Sequence, residues 1–249
     1  GVKAVGVTLD GIVNADSGLA ILSAGIGTFQ LAYGGQVASG ALGNAIQIHG
    51  GAFVNNSGFA DAALSTPDGH WLTWTNNPGL DTLGGLLPAF RQYNATFGVT
   101  AVQGSGSGNL FAANPATTLA LSGTTTKVYD TTTASDGSGL TLGFTTAYGD
   151  VVSFGMTAVT YDDKNVGSGK MVAATTDGNP GVGVYGGSIP VYGITMSGAA
   201  SNYGGAITPA TITSVTGIVA NDKVYDATTA ALLIGGGTFA GIYGGDVLQ

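Results

Sequence analysis

The sequence contains no cysteine and few charged residues. Its 249 residues include 0 Cys, 6 Lys or Arg and 14 Asp or Glu. The absence of cysteine excludes disulfide bonds and thiolate metal sites, and it suits either a cytosolic protein or a large exported one. Because so few basic residues stand against a net charge of −8, the chain cannot neutralise a row of phosphates. Nucleic acid and anionic membrane surfaces are therefore poor partners.

Long apolar runs are also missing. Gly, Asn and Thr interrupt every candidate for an uncharged apolar segment of about 18 residues, so no transmembrane segment is predicted. No charged stretch followed by an apolar one stands at Gly1, and no signal peptide is expected there. The chain begins without Met and ends inside a repeat, which we interpret as an internal fragment of a longer protein.

Glycine is the abundant residue. The chain has 45 Gly and a mean hydropathy of +0.32, and it is also rich in Thr, Ala, Ser and Val. This mixture favours strands and tight turns over helices. The composition therefore predicts an all-β protein.

A sequence repeat organises the second half of the chain. Lys-Val-Tyr-Asp at 127–130 recurs at 223–226, an offset of 223 − 127 = 96 residues, and Gly-Asp-Val at 149–151 recurs at 245–247 with the same offset. A repeat of this length is typical of tandem β-sandwich modules of roughly 100 residues. The motif residues are Lys127, Tyr129, Asp130, Lys223, Tyr225 and Asp226. We expect both tyrosine rings to be buried at equivalent positions, and each aspartate to cap its turn.

The first 66 residues show a shorter period. Apolar residues alternate in short runs, and Ser-Gly turns recur at 17–18, 39–40 and 57–58, with spacings of 22 and 18 residues. Alternation indicates half-buried strands, and this spacing is typical of stacked solenoid coils. The same alternation would also allow an antiparallel sandwich.

Several phrases resemble the YDG repeat of large bacterial surface adhesins. They are the Lys-Val-Tyr-Asp motif, Tyr-Asp-Asp-Lys-Asn-Val-Gly-Ser-Gly-Lys at 161–170, Ser-Asn-Tyr at 201–203 and Ile-Thr-Pro-Ala-Thr-Ile-Thr at 207–213. In the family, Gly usually follows the Tyr-Asp pair, whereas this chain has Thr131 and Ala227 at these positions. Further structural motif positions implied by the resemblance are Asp163, Lys164, Asn165, Asn202 and Tyr203.

An aromatic-rich stretch precedes these phrases. It holds Trp71, Trp74 and Tyr93, and it resembles the segment that closes the β-helix in the same adhesins, with His70 in place of the usual Arg. Such a segment is needed because the open end of a solenoid exposes apolar coils and unpaired strand edges. Packing in this cap is the expected role of the three rings, and stacking on a carbohydrate is the alternative.

The resemblance implies the end of a right-handed parallel β-helix with an aromatic-rich cap, followed by tandem YDG β-sandwich modules. We expect β-helix coils at 1–66, the closing segment at 67–114, a first YDG repeat at 115–213 and an incomplete second repeat at 214–249. Strand pairing should change from parallel to antiparallel near Pro115, which removes a backbone donor.

The resemblance also implies a function. It predicts a fragment of a secreted or cell-surface adhesin of the filamentous haemagglutinin type, exported by two-partner secretion to the bacterial surface. Its partners would be an outer-membrane secretion protein and a host-cell, matrix or carbohydrate receptor, or neighbouring copies of itself. A self-assembling extracellular fibre or sheath is one alternative. A β-helical polysaccharide-active enzyme with acidic residues along one face is another.

Candidate catalytic residues are sparse. His49 and His70 lie near no nucleophile in the sequence, and only Asp10 and Asp16 supply carboxylates to the predicted coils. No calcium-loop pattern occurs around Asp162 or Asp163. We therefore predict neither enzyme activity nor a bound metal or other cofactor.

Overall fold

The computed structural model describes residues 6–115, 118–176, 178, 183–185 and 188–244. Strands account for 46% of the chain and helical turns for 3%. No α-helix occurs among the described residues, and the two 3-10 helices are Ala60–Ala63 and Pro78–Leu80. None of the helical segments in these ranges is long and apolar enough to cross a membrane. The prediction of an all-β protein is confirmed.

The chain forms two compact units that interleave in sequence. The first unit comprises Gly1–Ala120, Thr141–Gly155 and Thr176–Gly198, and the second comprises Leu121–Leu140, Met156–Thr175 and Ala199–Gln249. The segment predicted as one YDG repeat therefore contributes to both units. The domain boundaries at 66, 114 and 213 stay predictions.

The first part of the chain consists of short strands. They are β1 (Gly6–Leu9), β2 (Ile12–Asn14), β3 (Ala20–Ser23), β4 (Thr28–Leu31), β5 (Gln36–Ala38), β6 (Gly43–His49), β7 (Ala52–Asn55), β8 (Leu64–Ser65), β9 (Gly69–Thr75), β10 (Phe90–Gln92) and β11 (Gly108–Phe111). They pair in parallel in three sheets, with the orders β1-β4-β7, β2-β5-β8 and β3-β6-β9-β11-β10.

Apolar residues face one another across the parallel strands. Phe29 in β4 lies opposite Val7 in β1 and Phe53 in β7, which are 29 − 7 = 22 and 53 − 29 = 24 residues away. Phe29 and Phe53 are only 1% and 0% exposed, and they belong to one hydrophobic cluster with Trp71 and Leu86. Paired positions therefore stack apolar side chains on one another, and this burial holds the strands together.

The remaining strands follow after residue 115. They are β12 (Ala120–Gly123), β13 (Thr125–Val128), β14 (Leu140–Thr145), β15 (Val151–Phe154), β16 (Ala158–Tyr161), β17 (Gly167–Thr176), β18 (Gly183–Tyr185), β19 (Ile189–Tyr192), β20 (Gly198–Thr208), β21 (Ser214–Thr216), β22 (Val219–Ala220), β23 (Leu233–Ile234) and β24 (Thr238–Ala240).

In the first unit, the sheet with the order β3-β6-β9-β11-β10 continues beyond β10 into antiparallel strands. β19 pairs in parallel with β10, and the order then runs β19-β18-β15-β14 with antiparallel pairing throughout. In the second unit, β13 pairs in parallel with β20. The expectation that only antiparallel pairs follow Pro115 is therefore wrong at these two places, because β19 and β20 run in the same direction as the strands that they join.

The second unit contains a four-stranded sheet with the order β13-β20-β17-β16, and two small antiparallel pairs, β21-β24 and β22-β23. Gly205 in β20 allows the sheet to pack, because a Cβ there would lie 2.4 Å from Val172 Cγ2 and 2.8 Å from the ring of Tyr161. Glycine at this position thus makes room for the buried Tyr161 ring.

Candidate functional site

The first Lys-Val-Tyr-Asp motif forms a hydrogen-bonded turn at the end of β13. Lys127 Nζ donates to Asp130 Oδ1 at 2.6 Å, to Thr132 O at 2.7 Å and to Ala134 O at 2.9 Å. The backbone N–H of Thr132 donates to the same carboxylate oxygen at 2.9 Å. The hydrogen bond from Lys127, followed by those from Thr132, lowers the pKa of Asp130 to about 2. Asp130 thus caps the turn through its side chain.

The second copy of the motif forms the same turn. Lys223 Nζ donates to Asp226 Oδ1 at 2.8 Å and to Thr228 O at 2.9 Å, and the N–H of Thr228 donates to Asp226 Oδ1 at 3.0 Å. The hydrogen bond from Lys223 lowers the pKa of Asp226. The second copy therefore repeats the hydrogen bonds of the lysine and the aspartate. The exception is the bond from Lys127 to Ala134 O, which Lys223 does not repeat.

The residue after each motif aspartate adopts a left-handed conformation. Thr131 has φ +68° and Ala227 has φ +60°. This conformation is unfavourable for residues with a Cβ, and more so for a β-branched one. These are the two positions at which the YDG family usually has glycine. The departure from the family sequence therefore leaves the turn geometry intact and adds backbone strain.

The two motif tyrosines differ in exposure. Tyr129 is half-buried, and its ring meets that of Tyr243 edge-on at 5.8 Å. Tyr225 is 89% exposed. The prediction that both rings are buried at equivalent positions is wrong, since Tyr129 is only half-buried and Tyr225 is exposed. The two differ because the four-stranded sheet of the second unit is built around the first copy. The described part of the second copy contributes only short two-stranded pairs.

The Tyr-Asp-Asp-Lys phrase forms a second ion-paired turn. Asp163 Oδ1 accepts from Lys170 Nζ at 2.6 Å and from the N–H of Asn165 at 2.7 Å. The hydrogen bond from Lys170 lowers the pKa of Asp163. Lys164, which the sequence singled out, is exposed, whereas Lys170 is buried. The signal for Lys170 was its place in the inward alternation of β17, with Val172 and Ala174.

The Asn-Tyr phrase also serves a structural role. Asn202 Nδ2 donates to Gly123 O at 3.1 Å, and its Oδ1 accepts from the N–H of Gly204 at 3.0 Å. Tyr203, the next residue, is 74% exposed. Asn202 therefore ties β20 to the end of β12, while the Tyr203 ring faces solvent.

The three aromatic residues that were predicted to pack in a cap are buried. Trp71, Trp74 and Tyr93 are 5%, 4% and 0% exposed, respectively. Trp74 packs edge-on against Phe97 at 5.6 Å. The alternative that these three rings form a carbohydrate platform is therefore wrong, because a sugar in solvent cannot stack on them.

A buried ion pair in the first unit joins β10 to the residue that precedes β15. Arg91 NH1 donates to Asp150 Oδ1 at 2.9 Å, and the two side chains are 7% and 0% exposed. The Tyr93 hydroxyl donates to the other Asp150 oxygen, and burial, followed by this hydrogen bond, raises the pKa of Tyr93. The guanidinium also lies 5.0 Å from the centre of the Phe111 ring. The two hydrogen bonds satisfy both carboxylate oxygens of Asp150.

The sequence analysis did not predict the Arg91–Asp150 ion pair. Its signals were the position of Arg91, the single arginine of the chain, among aromatic residues, and the repetition of Gly-Asp-Val around Asp150.

A cavity of about 290 Å³ lies beside this ion pair. Its polar wall consists of Asp81, Arg91 and Asn109, and its apolar wall of Pro78, Leu83, Pro88 and Phe111. Asp81 Oδ1 accepts from the N–H of Phe53 at 2.9 Å, and Oδ2 accepts from the Thr75 hydroxyl at 2.8 Å. Burial raises the pKa of Asp81 to about 6, although both hydrogen bonds and the charge of Arg91 oppose the rise.

The two histidines lie on paired strands, His49 on β6 and His70 on β9. His49 Nδ1 lies 3.0 Å from Ser23 Oγ, and its ring stacks on Phe97 at 4.9 Å. His70 is partly exposed on β9. Within the described ranges, no group of three or more His, Cys, Asp or Glu side chains is placed to hold a metal ion.

Comparison with known proteins identifies one domain. Residues 113–181 match the family model of the YDG domain. No curated protein and no solved structure matches the chain significantly. The matched range includes Lys127, Asp130 and Asp163, whereas the second motif copy at 223–226 lies outside it. The chain therefore contains a YDG domain at residues 113–181.

Proposed function

We propose that this chain is part of a large secreted or cell-surface adhesin of the filamentous haemagglutinin type, in which it serves as a stalk and spacer and not as an enzyme. In this proposal, residues 1–66 are the last coils of a right-handed parallel β-helix and residues 67–114 close it. The YDG domain is the first of a series of sandwich modules. Export would use an outer-membrane secretion partner.

The observation that carries the proposal is the repeated parallel pairing of short strands. In three sheets, a strand pairs with one that lies 28 − 6 = 22, 36 − 12 = 24 or 46 − 20 = 26 residues later in the chain, as successive coils of a solenoid would. Stacked coils of this kind grow along one axis and need no globular core, as a rigid stalk requires. The repeated Lys-Asp turn supports modules added in series after the coils.

The polar chemistry of the described residues supports a non-enzymatic role. Lys127, Asp163 and Asn202 use their polar atoms to hold turns and strand ends. Such hydrogen bonds stabilise a fold and occupy the polar atoms that make them. The polysaccharide-active enzyme is therefore the weaker alternative.

A self-assembling extracellular fibre is the second candidate. The small strand pairs of the second unit carry exposed apolar side chains, with Val219 at 61%, Leu233 at 62% and Ile234 at 48%. Exposed strand edges with apolar side chains favour pairing with another chain. This feature would suit a subunit that polymerises.

Immunoelectron microscopy of the producing cells distinguishes the candidates. With antibodies raised against the 249-residue chain, the proposal predicts gold label on filaments attached to the outer surface. Label confined to the cell interior would contradict it. Filaments that also form from the purified chain alone would favour the fibre.

A further inference from the structure

The cavity beside the Arg91–Asp150 pair has the features of a small-ligand site. It lies within the first unit, and its volume of about 290 Å³ is at the lower end of the range for ligand pockets in proteins. Its lining combines four apolar residues with three polar ones. A cavity of this size holds one ring-sized ligand and not an extended chain.

The polar wall offers hydrogen-bond acceptors from Asp81 and Asn109 beside the donors of Arg91. Each Asp81 oxygen already accepts one hydrogen bond, from Phe53 N–H or from the Thr75 hydroxyl, and a carboxylate oxygen has a second lone pair. Asn109 is 1% exposed, and its Nδ2 donates to Thr73 Oγ1 at 2.6 Å. That bond orients the amide and leaves its Oδ1 as an acceptor. A matching ligand therefore carries several hydroxyl donors.

The charges favour a neutral ligand. One acidic side chain, Asp81, and one basic side chain, Arg91, line the cavity, so its lining has no net charge when both are ionised. An anionic ligand would be repelled by that carboxylate. An ammonium ligand would meet the nearby Arg91 guanidinium, which acts electrostatically on Asp81. Both classes of charged ligand are therefore disfavoured.

The apolar wall completes the specificity. Pro78, Leu83, Pro88 and Phe111 offer contacts to C–H groups. A sugar ring presents hydroxyls at its edge and C–H groups on its face, so it matches both walls at once. We propose that this cavity binds a single neutral sugar ring, whose neighbouring hydroxyls donate to the Asp81 carboxylate. The inference goes beyond the proposed role as stalk and spacer and assigns a ligand class to this cavity.

Ligand-observed NMR and calorimetry on the intact 249-residue chain test this site. The probes are the methyl glycosides of glucose, galactose and mannose, compared with glucuronate and glucosamine. We expect saturable binding of at least one neutral glycoside. Asp81→Asn keeps the shape of the side chain but loses the charge-assisted hydrogen bonds, so affinity should fall about tenfold. The exposed Asp68→Asn should leave affinity unchanged.

A second pair of variants tests the cavity itself. Leu83→Trp fills the cavity without removing a hydrogen bond and should abolish binding, whereas Leu87→Trp, at a position 78% exposed, should not. Melting curves identify any variant that fails to fold. Absence of binding by all three glycosides, preference for glucuronate or glucosamine, or full affinity in the folded Leu83→Trp variant would overturn the inference. None of these results changes the gold-label experiment, which tests the stalk independently.

Discussion

The two copies of the Lys-Val-Tyr-Asp motif form the same turn in different surroundings. Lys127 and Lys223 both bind the motif aspartate and the carbonyl two residues beyond it. Yet the Lys127 side chain is 14% exposed and that of Lys223 is 37% exposed. The strands that cover the first copy come from 158–176 and 198–208, far along the chain.

This difference in exposure separates the hydrogen bonds formed within the motif from the burial supplied by distant strands. The turn needs only lysine, aspartate and the residues that follow within seven positions, so the hydrogen bonds recur wherever that sequence occurs. Burial of the lysine and tyrosine side chains needs strands that the motif does not encode. Matched substitutions at the two copies should therefore change stability in the same direction where they affect the turn itself. They should change it by different amounts where they affect side chains that the sheet buries only in the first copy.

The largest difference is expected between a buried and an exposed aspartate. Asp150→Ala should destabilise the first unit by about 3–5 kcal/mol, because it removes the carboxylate that pairs with the buried Arg91 charge. Asp222→Ala, at an exposed position of the second unit, should have an effect within about 0.5 kcal/mol. Urea unfolding of both variants measures the two values. Equal losses would contradict this part of the comparison.

The motif lysines should differ less. Lys127→Met keeps the apolar stem and removes a donor to Asp130, Thr132 and Ala134, so we expect a loss of about 2 kcal/mol in the free energy of unfolding. Lys223→Met removes similar bonds from a more exposed site, where water replaces them, and should cost clearly less. Chemical denaturation followed by fluorescence compares the two. A larger loss of stability for Lys223→Met would contradict the prediction, because it would show that the second copy is the more buried one.

The motif tyrosines should follow the same order. Tyr129→Ala removes a half-buried ring and its contact with Tyr243, with an expected loss of about 1–2 kcal/mol. Tyr225→Ala removes a ring that is 89% exposed and should change stability by less than about 0.5 kcal/mol. Thermal melts of both variants provide the measurement. Similar shifts in Tm would show that the second ring is covered in solution.

The left-handed residues should respond in the same direction at both copies. Thr131→Gly relieves the strain of a β-branched residue at φ +68°, which more than offsets the greater freedom of glycine in the unfolded chain. We expect a gain of about 0.5–1 kcal/mol, and a smaller gain for Ala227→Gly. Ala134→Gly, where no such strain exists, is the matched control and should destabilise. A loss of stability in Thr131→Gly would show that the threonine side chain makes a compensating contact.

Sequence reasoning was most reliable where structure is local. Composition predicted an all-β chain, and the YDG phrases identified a domain that the family comparison confirms at 113–181. It failed where contacts join distant segments. The Arg91–Asp150 pair spans 59 residues, and the parallel pairing of β10 with β19 spans about 100, so no local pattern encodes either. No sequence pattern pointed to Asp81, because its raised pKa results mainly from burial in the folded chain.

The central claim is that the motif sequence alone builds the Lys-Asp turn. Carbon-13 NMR of the Asp130 and Asp226 carboxyl groups between pH 7 and pH 2 tests it directly. Hydrogen bonds from lysine and threonine hold both pKa values below the ordinary 3.8, that of Asp130 at about 2. Because the folded values are depressed, the stability from each carboxylate is present above 3.8 and is lost as the pH falls through the folded pKa. The account predicts depressed pKa values at both copies; an ordinary value at Asp226 beside a low one at Asp130 would contradict it.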